Sequence, residues 1–143
     1  FSGYTTDPNI NPHYIRPAML QQRLQKIMDE YVGGVGTWYM TSKYMLEEGF
    51  YYLGLLKEDS YHMCAENLHE LLRAWENFHR ILAGEAHARH IHFREETRYP
   101  GYYYRGDFLA IDDENWKCFV NSTYDKETGE WNVFKREYHQ LIP

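Results

Sequence analysis

The stretch 67-NLHELLRAWENFHRILAGEAHARHIHF-93 decides the fold class. Leu71, Trp75, Phe78, Leu82 and Ala86 recur at helical spacing toward Phe93 and form the expected inner face. Asn67 followed by Glu70 resembles a capping box in which Asn replaces Ser or Thr. About 25 residues at 1.5 Å each predict a helix of ~38 Å. Upstream, Pro17 suits a first helical turn, and Leu20, Leu24, Ile27, Met28 and Tyr31 make one apolar stripe. Gly33, Gly34 and Gly36 end that helix. A second helix starts with Thr41 or Ser42 as cap and runs to about Ser60. Its inner face is read as Met45, Gly49, Tyr52, Leu53 and Leu56, with Gly49 and Gly54 marking close helix packing. Three helices joined by short loops predict an antiparallel three-helix bundle over residues 17–93.

The flanks read differently. Residues 1–16 hold two prolines and no periodicity, which predicts an extended lead-in. Pro100-Gly101 breaks the helical pattern, and 94–115 reads as an irregular loop rich in Arg, acids and Tyr. From Trp116 the chain alternates: Trp116, Cys118 and Val120 against Lys117, Phe119 and Asn121. A polar turn over 125–130 leads to a second alternating run from Trp131. The segment 116–143 is therefore expected to be a β-hairpin and tail. The fold class is mainly α, with residues 1–143 forming one domain.

Composition narrows the function classes. Net charge is −6, and no Lys/Arg cluster exceeds two neighbours, which argues against nucleic acid and acidic lipid surfaces. The apolar runs are too short and too broken by charge for a membrane span, and no secretory leader is expected. Cys64 and Cys118 form no CxxC pair, so the default is two free thiols in a reducing cytoplasm. Aromatics reach 17%, with fourteen tyrosines and four tryptophans, which suggests that part of the surface is meant to be covered. Phe1 follows no Met, so the chain reads as excised from something longer.

Histidines draw attention next: His79, His87, His90 and His92 lie on or beside the third helix. Glu66-x-x-His69 and Glu76-x-x-His79 match one element of a di-iron bundle, but that site needs such elements on two different helices. Solvated or hydrogen-bonded histidines are the simpler expectation, with a small His/Glu metal site as a rival. Gly33-Gly34-Val35-Gly36 follows a helix, whereas a dinucleotide fingerprint follows a strand. No GxSxG is present. The pairs Glu95-Glu96 and Asp112-Asp113 are expected to cap helices or bind arginines. The dense stretch 89–116 carries the candidate docking residues Arg94, Arg98, Tyr102, Tyr103, Tyr104, Arg105, Asp112, Asp113 and Trp116. Bidentate Arg–carboxylate bonds there can brace the loop against a partner domain or within its own. The first alternative predicts that Arg98 and Arg105 are only loosely paired in this chain alone.

HFREETRYPGYYYRGD, DDENWKCFVNS and YDKETGEW closely resemble the C-terminal region of adenylyl-sulfate reductase flavoprotein (alpha) subunits. MDEYVGGVGTWY and ELLRAWENFHR are similar to the same region, so the resemblance covers nearly the whole chain. More distantly, Arg94-Glu95, Pro100, Asp112-Asp113 and Asn115-Trp116 resemble a pattern of succinate dehydrogenase, fumarate reductase and L-aspartate oxidase. The resemblance implies a helical C-terminal domain behind FAD-binding and capping domains. It implies a parent enzyme that interconverts adenylyl sulfate with sulfite and AMP. It also implies a ferredoxin-like beta subunit with [4Fe-4S] clusters, and the cytoplasm. No catalytic, cofactor-binding or metal residue carries over to this chain, which lacks an FAD fingerprint. A free-standing helical interaction module of shared ancestry is the rival expectation.

Overall fold

Proline opens the first helix, α1 (Pro17–Tyr31), at a position where its missing N–H costs no bond. Leu20 and Leu24 are buried, and Ile27, Met28 and Tyr31 pack against the core beside them, so the expected stripe is the one that packs. Gly33 takes a φ of +88° just beyond the C-cap, a conformation that favours glycine. Gly34 and Gly36 have another purpose. The Asp29 carboxylate accepts the Gly36 N–H at 2.9 Å, and a Cβ on either glycine would collide with Asp29. In the computed structural model the described residues are 14–99 and 102–139. Most of the expected lead-in (1–13), Pro100-Gly101 and the end of the tail (140–143) lie outside them.

A 3-10 turn (Val35–Thr37) and a two-residue strand β1 (Met40–Thr41) lead to α2 (Lys43–Ser60). Ser42 is the N-cap and accepts the Met45 N–H at 3.4 Å. The buried face of α2 is Leu46, Gly49, Leu53, Leu56 and Ser60. Two expected members fall off it: Met45 is only half-buried and Tyr52 is exposed. Gly49 marks close packing, since a Cβ there would lie 3.0 Å from the Tyr31 Cβ. Gly54 does not, because it faces open space.

The third helix, α3 (Leu68–Phe93), has Asn67 as N-cap, accepting the Glu70 N–H at 3.0 Å. Glu70 answers by accepting the Glu66 N–H at 2.9 Å, a capping box displaced by one residue. Its buried face is Ala74, Asn77, Ile81, Ala88 and Ile91, and Trp75 is 54% exposed. The expected face is therefore rotated from the true one. Asn77 enters the core because its Nδ2 donates to the Pro17 carbonyl at 2.7 Å, which satisfies an otherwise costly buried amide. Helices α1, α2 and α3 each pack against the other two around one apolar cluster.

Beyond α3 the chain is more ordered than its sequence pattern suggests. Strand β2 (Tyr104–Arg105) pairs in parallel with β1, Met40 opposite Tyr104. A short helix, α4 (Asp113–Trp116), follows, so Trp116 closes a helix rather than opening a strand. Asp112 caps α4 by accepting the Asn115 N–H at 3.0 Å. The expected hairpin is present as antiparallel β3 (Cys118–Tyr124) and β4 (Trp131–Glu137), with Cys118 opposite Glu137 and Tyr124 opposite Trp131. Gly129 turns the chain at a φ of +75°. The hairpin lies on α3, where His90 Nε2 meets Ser122 Oγ at 2.9 Å, and Lys57 of α2 donates to the Tyr124 hydroxyl at 2.8 Å. Among the described residues no helix is long and apolar enough to cross a membrane, and both cysteines are free.

Candidate functional site

The chemistry-bearing residues gather where α3 ends. Glu96 is fully buried, and its carboxylate accepts from Arg94 Nη1 at 2.5 Å, Arg98 Nε at 2.7 Å, Arg98 Nη2 at 3.0 Å and the Asp112 N–H at 2.9 Å. Burial alone would raise its pKa, but the bonds from Arg98, the Asp112 N–H and Arg94 outweigh that and hold the carboxyl below its ordinary value. Arg94 also donates to the carbonyls of Trp116 and Cys118, both at 2.8 Å, which pins α4 and the start of β3 to the end of α3. Arg98 reaches Asp113 at 2.8 Å. Its guanidinium is held more firmly protonated, first by its bond to Glu96.

A second cluster lies beside it. Arg105 is 1% exposed, and its Nη1 donates to the carbonyls of Ile91 (2.6 Å), His92 (3.1 Å) and Arg94 (3.0 Å). These carbonyls lie at the C-terminal end of α3, where a cation complements the helix dipole. The other edge of the guanidinium binds Asp107 in bidentate fashion at 2.9 and 2.8 Å. Asp107 also accepts the N–H of Lys43, the first residue of α2, at 3.1 Å. One Arg–Asp pair therefore ties the negative end of α3 to the positive end of α2. The bond from Arg105 is the main reason the Asp107 carboxyl sits below its ordinary value.

The sequence-selected residues divide accordingly. Arg94, Arg105, Tyr103 and Trp116 are buried, and Arg98, Tyr104 and Asp112 are partly so. Tyr102 and Asp113 are exposed. Trp116 sits between the guanidinium of Arg94 (5.7 Å from its ring centre) and the ammonium of Lys135 (3.6 Å), with Phe93 edge-on. In this chain Arg98 and Arg105 are both bound to acids of the same loop, the arrangement that bracing within the domain predicts. The acid pairs act as expected: Glu96 binds Arg94 and Arg98, Asp113 binds Arg98, and Asp112 caps α4. Thr97 and Asp107 are organisers that the sequence reading does not single out. Thr97 accepts the Arg105 N–H at 3.0 Å and donates to the Phe108 carbonyl at 2.8 Å. Their signal was present only as an acid and a threonine interleaved with arginines.

Against this network lies a cavity of about 570 Å³, lined by His87, His90, Arg98, Tyr99, Trp116 and Lys117 among others. Burial, and then the nearby Arg94, push the His90 imidazole below its ordinary value. Among the described residues no group of three or more His, Cys, Asp or Glu side chains is placed to hold a metal ion. Among the described residues the two sheets are each a two-stranded pair, without the strand–glycine turn–helix that receives a dinucleotide.

No protein-family model matches the chain. It is 55% identical over 141 residues to the adenylylsulfate reductase subunit alpha of Megalodesulfovibrio gigas, covering 99% of this chain and 21% of that protein. The solved adenylylsulfate reductase of Archaeoglobus fulgidus shares the fold at a TM-score of 0.90 and 51% identity, over 97% of this chain and 22% of that one. A variant of E. coli quinol fumarate reductase shares the fold alone, with a TM-score of 0.75 and 18% identity over 90% of this chain and 22% of that one. The chain thus spans about a fifth of the length of the proteins it matches.

Proposed function

This chain corresponds in sequence and fold to a segment of the adenylylsulfate reductase alpha subunit, and from that premise we propose that it is the helical C-terminal part of an FAD-dependent reductase. The reaction would take adenylyl sulfate to sulfite and AMP. The observation that carries this reading is identity at 55% across 99% of the chain. We assign FAD to other parts of such a subunit, because the described residues carry no strand–glycine turn–helix for a dinucleotide, and no step of the reaction is assigned to this chain.

Its own contribution is structural. The Glu96 and Arg105 clusters make a loop with little regular structure rigid, and so fix the surface that the rest of the subunit meets. The FAD and capping domains of the same subunit are the proposed neighbours. A ferredoxin-like iron–sulfur beta subunit carrying [4Fe-4S] clusters is the proposed electron partner, and the cytoplasm the compartment. The test is to purify the longer chain that carries this segment and measure bound FAD and sulfite formed from adenylyl sulfate. A flavin-free chain, or one inert toward adenylyl sulfate with its partner subunit present, would overturn the assignment.

A further inference from the structure

Arg94, Glu96 and Arg105 point inward, and beside them a set of large apolar and aromatic side chains is left exposed. Trp38 is 85% exposed, and Tyr39, Met40 and Tyr44 are exposed beside it in sequence. Phe108 and Leu109 are exposed on the neighbouring segment. The backbone sets the two segments side by side. The Tyr104 N–H donates to the Tyr39 carbonyl at 2.6 Å, and the Gly106 N–H to the Thr41 carbonyl at 2.7 Å. Asp107 holds the Lys43 N–H, next to Tyr44. The Met40 side chain lies over Gly106, where an added Cβ would come within 3.3 Å of its sulfur.

The backbone under this patch is also unusual. Trp38 and Tyr39 have φ values of 55° and 62°, the only non-glycine residues in the left-handed region among those described. Side chains with a Cβ adopt that region at a cost, and two aromatics in succession do so here while remaining exposed. The surrounding bonds hold them there: the Trp38 N–H donates to the Val35 carbonyl and the Tyr39 N–H to the Gly34 carbonyl. A rigid, solvent-facing Trp is the kind of anchor on which an interface concentrates its binding energy.

We propose that the surface of Trp38, Tyr39, Met40, Tyr44, Phe108 and Leu109 is the face on which the remainder of the flavoprotein chain docks. This rests on the reading given above. Two observations choose the occupant. In the solved relative, which shares the fold closely, this segment is 22% of the chain, so most of that chain lies outside it. The members of the patch are themselves uncharged, and of the charges beside them Asp107 is bound by Arg105 and by the Lys43 N–H, while the Lys43 ammonium lies 4.0 Å from Glu47. Permanent interfaces are apolar in this way, whereas transient partners and nucleotides call on a polar or charged rim.

Hydroxyl-radical footprinting of the full-length flavoprotein chain, read at Trp38, Tyr44 and Leu109 against the same chain unfolded in urea, tests the proposal. Docking predicts oxidation of Trp38 and Tyr44 slowed roughly tenfold or more in the native chain without any other subunit. Native rates within about twofold of the unfolded ones would overturn it. Protection that appears only when the iron–sulfur subunit is added would also overturn it, because the face would then belong to that partner. FAD measured on the same sample separates the two readings. A flavin-loaded chain with a reactive Trp38 refutes this surface alone, whereas a chain without flavin refutes the assignment on which it rests.

Discussion

Replacing Glu96 by Gln tests whether the loop is held from within. The carboxylate is fully buried, while Arg94 and Arg98, which it binds, are 10% and 21% exposed at their side chains. Glutamine keeps one acceptor oxygen but turns an amide NH₂ toward donors it cannot serve, and it leaves two arginines without their shared counter-charge. Breaking a buried pair in this way costs about 3–5 kcal/mol. With a urea slope of about 2 kcal/mol per M, the unfolding midpoint should fall by about 1.5–2.5 M. Glu95→Gln is the control, since its neighbouring carboxylate is exposed and makes no comparable bonds, and its midpoint should move by less than about 0.3 M. Acid supplies a second arm. The folded-state pKa of Glu96 lies below the ordinary 4.5, so its contribution is present above that value and is lost as pH falls through the folded pKa. The gap between wild type and Glu96→Gln should therefore narrow below pH 4.5. Equal midpoints for Glu95→Gln and Glu96→Gln at neutral pH would refute the reasoning.

The true face of α3 makes Asn77→Ala the costly change, about 1–3 kcal/mol for the lost bond to the Pro17 carbonyl, and Trp75→Ala the milder one at about 1 kcal/mol or less. The opposite order of urea midpoints would mean that the helix is rotated from its position here. Gly49→Ala should cost about 1–3 kcal/mol because its Cβ meets Tyr31, and Gly54→Ala, on an open helix face, should add roughly 0.8–1 kcal/mol of stability. Thermal melts that shift in the same direction for both would contradict those surroundings. His90, held neutral by burial and then by Arg94, has a folded pKa below 6.5, so the unfolded chain takes up its proton first and stability falls as pH drops through 6.5. His90→Gln should flatten the stability profile just below pH 6.5, and an unchanged slope would show that the imidazole contributes nothing there.

How much was legible depended on whether the signal was local. Helix limits were readable because capping is a matter of a few neighbouring residues: Pro17, Ser42 and Asn67 each stand where the chain enters a helix. The hairpin was readable from alternation and a polar turn. The face of α3 was not. Hydrophobicity placed Trp75 inside and left Asn77 out, yet small Ala74 and Ala88 let neighbouring helices approach, and a backbone carbonyl of α1 makes an amide acceptable in the core. Nothing local to Asn77 indicates that the Pro17 carbonyl will be waiting for it. The β1–β2 pair was invisible for the same reason, since each strand is two residues long and its partner lies more than sixty residues away.

The site itself was half legible. Interleaved arginines and acids announced ion pairs, but not whether they faced in or out. Arg105 and Asp107 lie two residues apart and read as an ordinary surface pair. In the fold each also meets a helix end of opposite sign, the carbonyls closing α3 for Arg105 and the first N–H of α2 for Asp107. The guanidinium can then be almost fully buried because both its edges are bound, by Asp107 on one side and by the carbonyls on the other. Strand β2 lies in parallel along β1, with Gly106 bonded to Thr41 and Asp107 to the Lys43 N–H, so Phe108 and Leu109 follow just beyond the start of α2. With Arg105 spent on Asp107 and on the end of α3, the exposed residues that come next in the chain are the apolar Phe108 and Leu109.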